Sequence, residues 1–156
     1  MNTLQNDKQF PSGETARTRT VISNGPDDTQ ALARSLVSGL PESVVIALYG
    51  NMGSGKTCFV QGIADALEID RLITSPTFTM INEYRGTRCL YHIDLYRVRH
   101  SDELIGLDVD DYLEPDGITA IEWPERAEAL LPARTVRVRI EAMARPNQRR
   151  IVVEVS

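Results

Sequence analysis

A single α/β domain, with a mixed central sheet flanked by helices and an antiparallel hairpin at its C-terminal end, is predicted by three observations. SVVIALYG and GITAIEW are apolar on both faces, as strands in the middle of a sheet must be. PDDTQALARSLVSGL and KTCFVQGIADALEI repeat apolar residues at helical spacing. RTVRVRIEAM and RRIVVEVS alternate strictly, the period of a strand with one wet face. A chain of 156 residues with 42% hydrophobic content is enough for one core of ordinary density.

In chain order, residues 1–18 are polar, carry Pro11 and Gly13, and show neither apolar period, which predicts a flexible tail ahead of a domain over residues 19–156. TVIS, from Thr20, reads as a short strand. The next segment has acidic residues in a first turn and Ala31, Leu32, Leu36 and Leu40 at helical spacing, with Gly39-Leu40-Pro41 as its stop. The buried strand SVVIALYG follows, then a glycine-rich loop and a helix that turns Phe59, Val60, Ile63, Ala64 and Leu67 inward. SPTFTMINEY is an extended, proline-stiffened loop leading into a strand, and RCLYHIDLYR, after a turn at Arg85-Gly86-Thr87, is its hairpin partner. SDELIGLDVDDYL predicts a short acidic helix. GITAIEW is a second buried strand, and the two alternating strands close the chain around Ala144–Gln148.

Composition narrows the possible functions. No apolar run is long enough to cross a bilayer and the N-terminus lacks the apolar segment of a secretory signal, so a cytoplasmic location is expected. Cys58 and Cys89 have no metal-type spacing and read as free thiols. A net charge of −5 argues against indiscriminate binding to nucleic acid, which needs a cationic surface. The charge is uneven: from Ser101 to Glu128 ten acidic residues face the single Arg126, and from Arg134 to Arg150 six arginines face Glu141. That C-terminal excess suits either a partner-facing patch or a solvated hairpin.

The loop Gly50-Asn51-Met52-Gly53-Ser54-Gly55-Lys56-Thr57 fits G-x-x-x-x-G-K-[ST] at every fixed position, between a strand and a helix, as the motif requires. Glycines let backbone N–H groups curl around an anion, the helix N-terminus adds partial positive charge, and the lysine reaches the terminal phosphates. With fifteen arginines and two lysines in the chain, Lys56 is not a product of compositional drift. The domain therefore reads as a P-loop NTPase fold, with Asn51, Met52, Gly53, Ser54, Gly55, Lys56, Thr57 and the adjoining Cys58 as candidate nucleotide contacts and Thr57 as a Mg²⁺ ligand.

Such a loop needs a further acid to hold the metal, placed at the end of a neighbouring buried strand. Asp94 ends LYHID and Glu122 ends ITAIE. Glu122 is the candidate metal contact and Asp94 its catalytic neighbour. Thr77, in SPTF, is placed to sense the terminal phosphate or to satisfy a turn. Trp123, the sole tryptophan, either covers the nucleotide or fills the core. His92 and His100 share no metal spacing and are read as core or surface.

Four blocks then stand in order: LYGNMGSGKT, TSPTFTMINEY, LYHIDLYR and AIEWPERA. Together they resemble the bacterial TsaE family, also called YjeE, small ATPases required for threonylcarbamoyladenosine modification of tRNA. The resemblance runs from about Thr20 to the C-terminal hairpin. It implies that Lys56 and Thr57 serve the phosphates and Mg²⁺ of ATP, that Glu122 is the metal-associated glutamate, that Asp94 is needed for hydrolysis, and that Thr77 lies in a switch-like loop. It also implies that Trp123 lies near the nucleotide and that Thr29, with Asp28, lies near the base. The implied partners are the TsaD and TsaB proteins, with any contact to tRNA made through their complex and no membrane involved; the ATPase is not itself the threonylcarbamoyl transferase. Two departures are a cysteine at position 58, where the family usually has threonine, and a longer N-terminal tail. A P-loop small-molecule kinase and a binding-only nucleotide sensor would share the same loop.

Overall fold

The computed structural model describes residues 16–76 and 79–156. The assignment of residues 1–15 to a tail lies outside them, as does Thr77. Among the described residues seven strands form one sheet in the order β1-β7-β6-β2-β5-β4-β3, where β1 is Arg17–Ser23, β2 Val44–Tyr49, β3 Ile81–Arg85, β4 Cys89–Asp94, β5 Gly117–Glu122, β6 Val136–Ala142 and β7 Arg149–Val155. The four middle strands run parallel: β2 pairs with both β5 and β6, and β5 pairs with β4. Antiparallel strands finish both sides, β6 to β7 to β1 on one and β4 to β3 on the other. The mixed sheet and the C-terminal hairpin are those expected from the alternating and continuous apolar runs.

Helices α1 (Pro26–Ser38) and α2 (Lys56–Ala66) cover one face; α3 (Asp102–Gly106), followed by a 3-10 turn at Val109–Tyr112, lies on the other. The period-two geometry of β2 explains its unbroken apolar sequence: Val44, Ile46 and Leu48 face the α1–α2 core, and Val45 faces the opposite one. On β4 and β5 the same alternation puts Leu90, Ile118 and Ala120 in the first core and Ile93 and Ile121 in the second.

Three details differ from the sequence reading. The inward stripe of α1 is Thr29, Leu32, Ala33, Leu36 and Val37, and Ala31 is exposed. Those five positions follow the i, i+3, i+4, i+7, i+8 pattern of one helix face, and Ala31 falls off it. The first strand begins at Arg17 because its partner β7 continues to Val155 and pairs with it residue for residue. The acidic helix is broken in two by Asp108, whose φ of 52° is left-handed and cannot continue a right-handed helix.

Helices α1 and α2 approach closely at Gly62, where a Cβ would stand 2.6 Å from the Gln30 carbonyl oxygen and 2.7 Å from the Ala33 Cβ. Only glycine permits that separation. No helix among the described residues is long and apolar enough to cross a membrane.

Candidate nucleotide site

Parallel strands deliver their C-terminal ends to one edge of the sheet, and ligands of open α/β folds bind outside those ends. Here β2 ends in the glycine loop, β4 in Asp94 and β5 in Glu122, with Asp94 and Glu122 paired in register on adjacent strands. Met52 to Cys58 together with Ser75, Asp94, Tyr96, Glu122 and Trp123 line a cleft of about 420 Å³. Asn51 lies around the outer side of the loop, in a second hollow bounded by β6.

The loop is held in a curl that glycine alone allows. Gly53 and Gly55 have φ of 76° and 110°, in the left-handed region. A Cβ on Gly50 would meet the Ser54 Oγ at 2.4 Å and the Ile140 carbonyl oxygen at 2.7 Å. Lys56 is buried, its Nζ donating to the carbonyl oxygens of Gly50 at 2.5 Å and Asn51 at 3.1 Å and lying 4.2 Å from the centroid of the Trp123 ring. Burial lowers the lysine's pKa, and the charges of Glu122, Glu125 and Asp94 oppose that shift.

Next to the lysine, the Thr57 hydroxyl donates to Glu122 Oε1 at 2.8 Å. Burial pushes the Glu122 carboxyl up, but the nearness of His92, the Thr57 hydroxyl and the Lys56 charge outweigh it and hold the group below the usual carboxylate range. Asp94 accepts from the Tyr96 backbone N–H at 2.9 Å through Oδ1 and from the Ser75 hydroxyl at 2.7 Å through Oδ2. The same hydroxyl stands 3.4 Å from Glu122 Oε2, but its single proton is given to the nearer Asp94.

Trp123 has a φ of 58°, left-handed backbone that an aromatic residue adopts only at a cost. The turn lays its ring between Lys56 and Tyr96, whose ring centroid is 5.1 Å away. Trp123 is thus a wall of the cleft, packed at its edge against the second core.

Sequence reasoning missed three contributors. Ser75 was within the SPTF block, but the phosphate-sensing role was assigned to Thr77. Arg149, on β7, donates through Nε to the Ser54 carbonyl at 2.9 Å and through Nη2 to that of Gly53 at 3.4 Å, clasping the loop from behind. His92 is fully buried beside Glu122, Nε2 to Oε2 being 3.7 Å. For His92 the available signal was the period of two, which puts position 92 on the same face of β4 as Asp94.

Thr29 is not among the lining residues. Its side chain is buried at the start of α1, where its hydroxyl is paired with that of Ser23 at 2.7 Å. Cys58 reaches from the cleft towards α1, its thiol donating to the Pro26 carbonyl at 3.6 Å, and burial raises its pKa. Both cysteines are free. Within the C-terminal arginine run, Arg137 is paired with Glu128 at 2.8 Å and Arg139 lies over the Tyr49 ring at 4.4 Å.

This donor set fits a phosphate chain with a hard divalent cation: an ammonium and curled loop for the anion, a hydroxyl and carboxylate oxygens for the cation. No group of three or more acidic, cysteine or histidine residues among the described residues is arranged to hold a metal alone. Mg²⁺ needs no such cage, because it is commonly shared between one or two carboxylates and phosphate oxygens.

A family model described as "Threonylcarbamoyl adenosine biosynthesis protein TsaE" matches residues 23–151. Among curated relatives, the tRNA threonylcarbamoyladenosine biosynthesis protein TsaE of Treponema pallidum is 35% identical over 127 residues, covering 81% of this chain and 94% of that protein. Its counterpart in Bacillus subtilis is 38% identical over 117 residues, 74% of this chain and 73% of the relative. The crystal structure of Bacillus subtilis YdiB superposes with a TM-score of 0.77 at 28% identity, covering 92% of this chain and 88% of that one.

Proposed function

The chain belongs to the TsaE family and so to tRNA threonylcarbamoyladenosine biosynthesis, and on that premise we propose that it is a Mg²⁺-dependent ATP-binding protein and weak ATPase that supports a TsaB–TsaD complex. The observation that carries the reading is the convergence of Lys56, Thr57, Asp94 and Glu122 at the ends of three adjacent parallel strands. In the proposed mechanism the loop amides and the Lys56 ammonium receive the phosphates, and the Thr57 hydroxyl and Glu122 carboxylate would hold the cation. Bound Mg²⁺ would supply neutralisation of the charge on the phosphate oxygens. Asp94, fixed by the Tyr96 N–H and the Ser75 hydroxyl, would orient the attacking water and take up its proton.

Partner dependence has a physical basis in the same cleft. Phosphoryl transfer is accelerated by positive charge on the transferring group, which many NTPases obtain from an arginine. Among the described residues that line this cleft the one cation is Lys56. Hydrolysis by the isolated chain is therefore slow, and the partner complex supplies or orders the rest. On this reading that complex is the site of threonylcarbamoyl transfer, with this chain acting beside it and contacting tRNA only through it.

The test is ATP hydrolysis with Mg²⁺ by the purified chain, alone and with the TsaB and TsaD proteins of the same organism. A clear rise on mixing is expected. No rise, with ATP bound and intact, would favour a nucleotide sensor, and a phosphorylated metabolite formed without partners would favour a kinase.

A further inference from the structure

We propose that His92 is a positioning residue for Glu122: from inside the core it offers the carboxylate a second hydrogen-bond donor, which keeps Glu122 aimed when the Thr57 hydroxyl is drawn to a bound cation. This rests on reading Glu122 as the carboxylate of the Mg²⁺–nucleotide site. It assigns a role to a residue otherwise left as core filler.

His92 has 0% exposure, and among the described residues neither ring nitrogen has a hydrogen-bond partner. A neutral imidazole always carries one N–H, and buried polar groups are satisfied in the great majority of cases. A merely space-filling position would carry an apolar side chain, as Leu90 does two residues earlier on the same face of β4. His92 therefore bears an unmet donor for which the fold provides an acceptor nearby.

The register shows which acceptor. Across β4 and β5, His92 sits opposite Ala120 and Asp94 opposite Glu122. Ala120 has the smallest side chain that could stand there, so the imidazole lies diagonally under Glu122 with no bulk between its strand partner and the acid. On the other side, β3 pairs Asn82 with His92, but the Asn82 amide oxygen accepts from Thr79 at 2.9 Å and its NH₂ is directed to the Tyr84 hydroxyl at 3.4 Å.

The separation then has meaning. Nε2 to Glu122 Oε2 is 3.7 Å, just beyond hydrogen-bond range, while Oε1 is held by Thr57 at 2.8 Å. Thr57 has one proton and so one donor bond. A cation held on a lone pair of that oxygen would leave its proton on Oε1 while drawing the hydroxyl and the carboxylate together, and a small rotation of the carboxylate would then bring Oε2 onto the N–H of His92. His92 thus acts as the fixed stop behind a carboxylate that has two settings.

The measurement is Mg²⁺ dependence of ATP binding, followed by the fluorescence of Trp123, the single tryptophan, which packs on Lys56. His92→Leu fills the space without a donor, His92→Gln places an amide N–H near the position of Nε2, and His92→Asn carries one that is too short to reach. Affinity for ATP in EDTA should stay within about twofold of wild type for all three, whereas the Mg²⁺ concentration needed for half-maximal tightening should rise roughly tenfold or more in the Leu and Asn variants. The Gln variant should recover most of that shift. If His92→Leu does not fold, the Gln and Asn pair decides alone. Equal Mg²⁺ requirement in Gln and Asn, or a folded Leu variant matching wild type, overturns the role of His92 while leaving the ATPase reading intact. Wild-type protein that binds no ATP at all overturns both.

Discussion

Replacing Arg149 by leucine should weaken ATP binding about five- to thirtyfold while leaving the fold in place. The planar trans peptide ties each carbonyl to the following N–H, so holding the Ser54 carbonyl outward on Arg149 turns the Gly55 N–H away from the guanidinium. The Nε bond to Ser54 is 2.9 Å and sound; the Nη2 contact with Gly53, at 3.4 Å, is at the limit of a bond; the Nη1 bond to Gln148 at 3.0 Å is local and does not touch the loop. A hydrogen bond to a charged group contributes about 1.5–3 kcal/mol when buried. Arg149 is only partly buried, and solvent screening brings one good and one marginal bond down to about 1–2 kcal/mol of loop ordering. Converted to an equilibrium constant this is the five- to thirtyfold loss. Arg150→Leu, which removes the same charge from the exposed neighbouring residue, serves as the control and should change affinity less than about twofold. A titration of Trp123 fluorescence with Mg–ATP reads both variants. Equal losses in the two would show that general charge, and not the clasp, supports the loop; no loss in either would refute the reasoning.

Asp94→Asn and Glu122→Gln should fold normally and lower ATP turnover by about 10²-fold, since each acid stands at a strand end and not within the apolar core; turnover at the wild-type rate would remove that residue from the site. Gly62→Ala should cost about 1–3 kcal/mol in urea unfolding, because the added methyl meets the Gln30 backbone at the α1–α2 crossing, and an unchanged midpoint would mean that the helices can separate freely. In metal-free protein the depressed pKa of Glu122 gives a stability contribution that is complete above the unfolded value of 4.5 and is lost as the pH falls through the lower folded value. The stability difference between wild type and Glu122→Gln should therefore shrink between about pH 7 and about pH 3; a difference independent of pH would contradict the shift.

Much of this molecule is local in sequence. The glycine loop, the continuous apolar runs of β2 and β5 and the alternation of β6 and β7 each announce themselves within ten residues, and Asp94 and Glu122 were legible as acids terminating buried strands. What joins them is not local. Arg149 meets Ser54 at a sequence separation of 95 and Thr57 meets Glu122 at one of 65, and no periodicity records which strand will lie beside which. Charge counting placed Arg149 and Arg137 in a basic segment, but folding turns the first onto the glycine loop and pairs the second with Glu128. Thr29 was placed near the base by the family resemblance alone, and in the fold its buried hydroxyl is paired with that of Ser23. His92 stayed silent because an imidazole inside a strand looks the same whether it fills space or backs an acid.

The most direct test of a phosphate-gripping site is calorimetric titration of the full chain with ATP, with and without Mg²⁺, beside Lys56→Ala. Wild type should bind one ATP, more tightly with Mg²⁺, and the alanine variant should lose at least about 100-fold in affinity, the equivalent of two charge-assisted hydrogen bonds at about 1.5 kcal/mol each. A folded Lys56→Ala protein that binds ATP as wild type does would contradict the assignment of the loop.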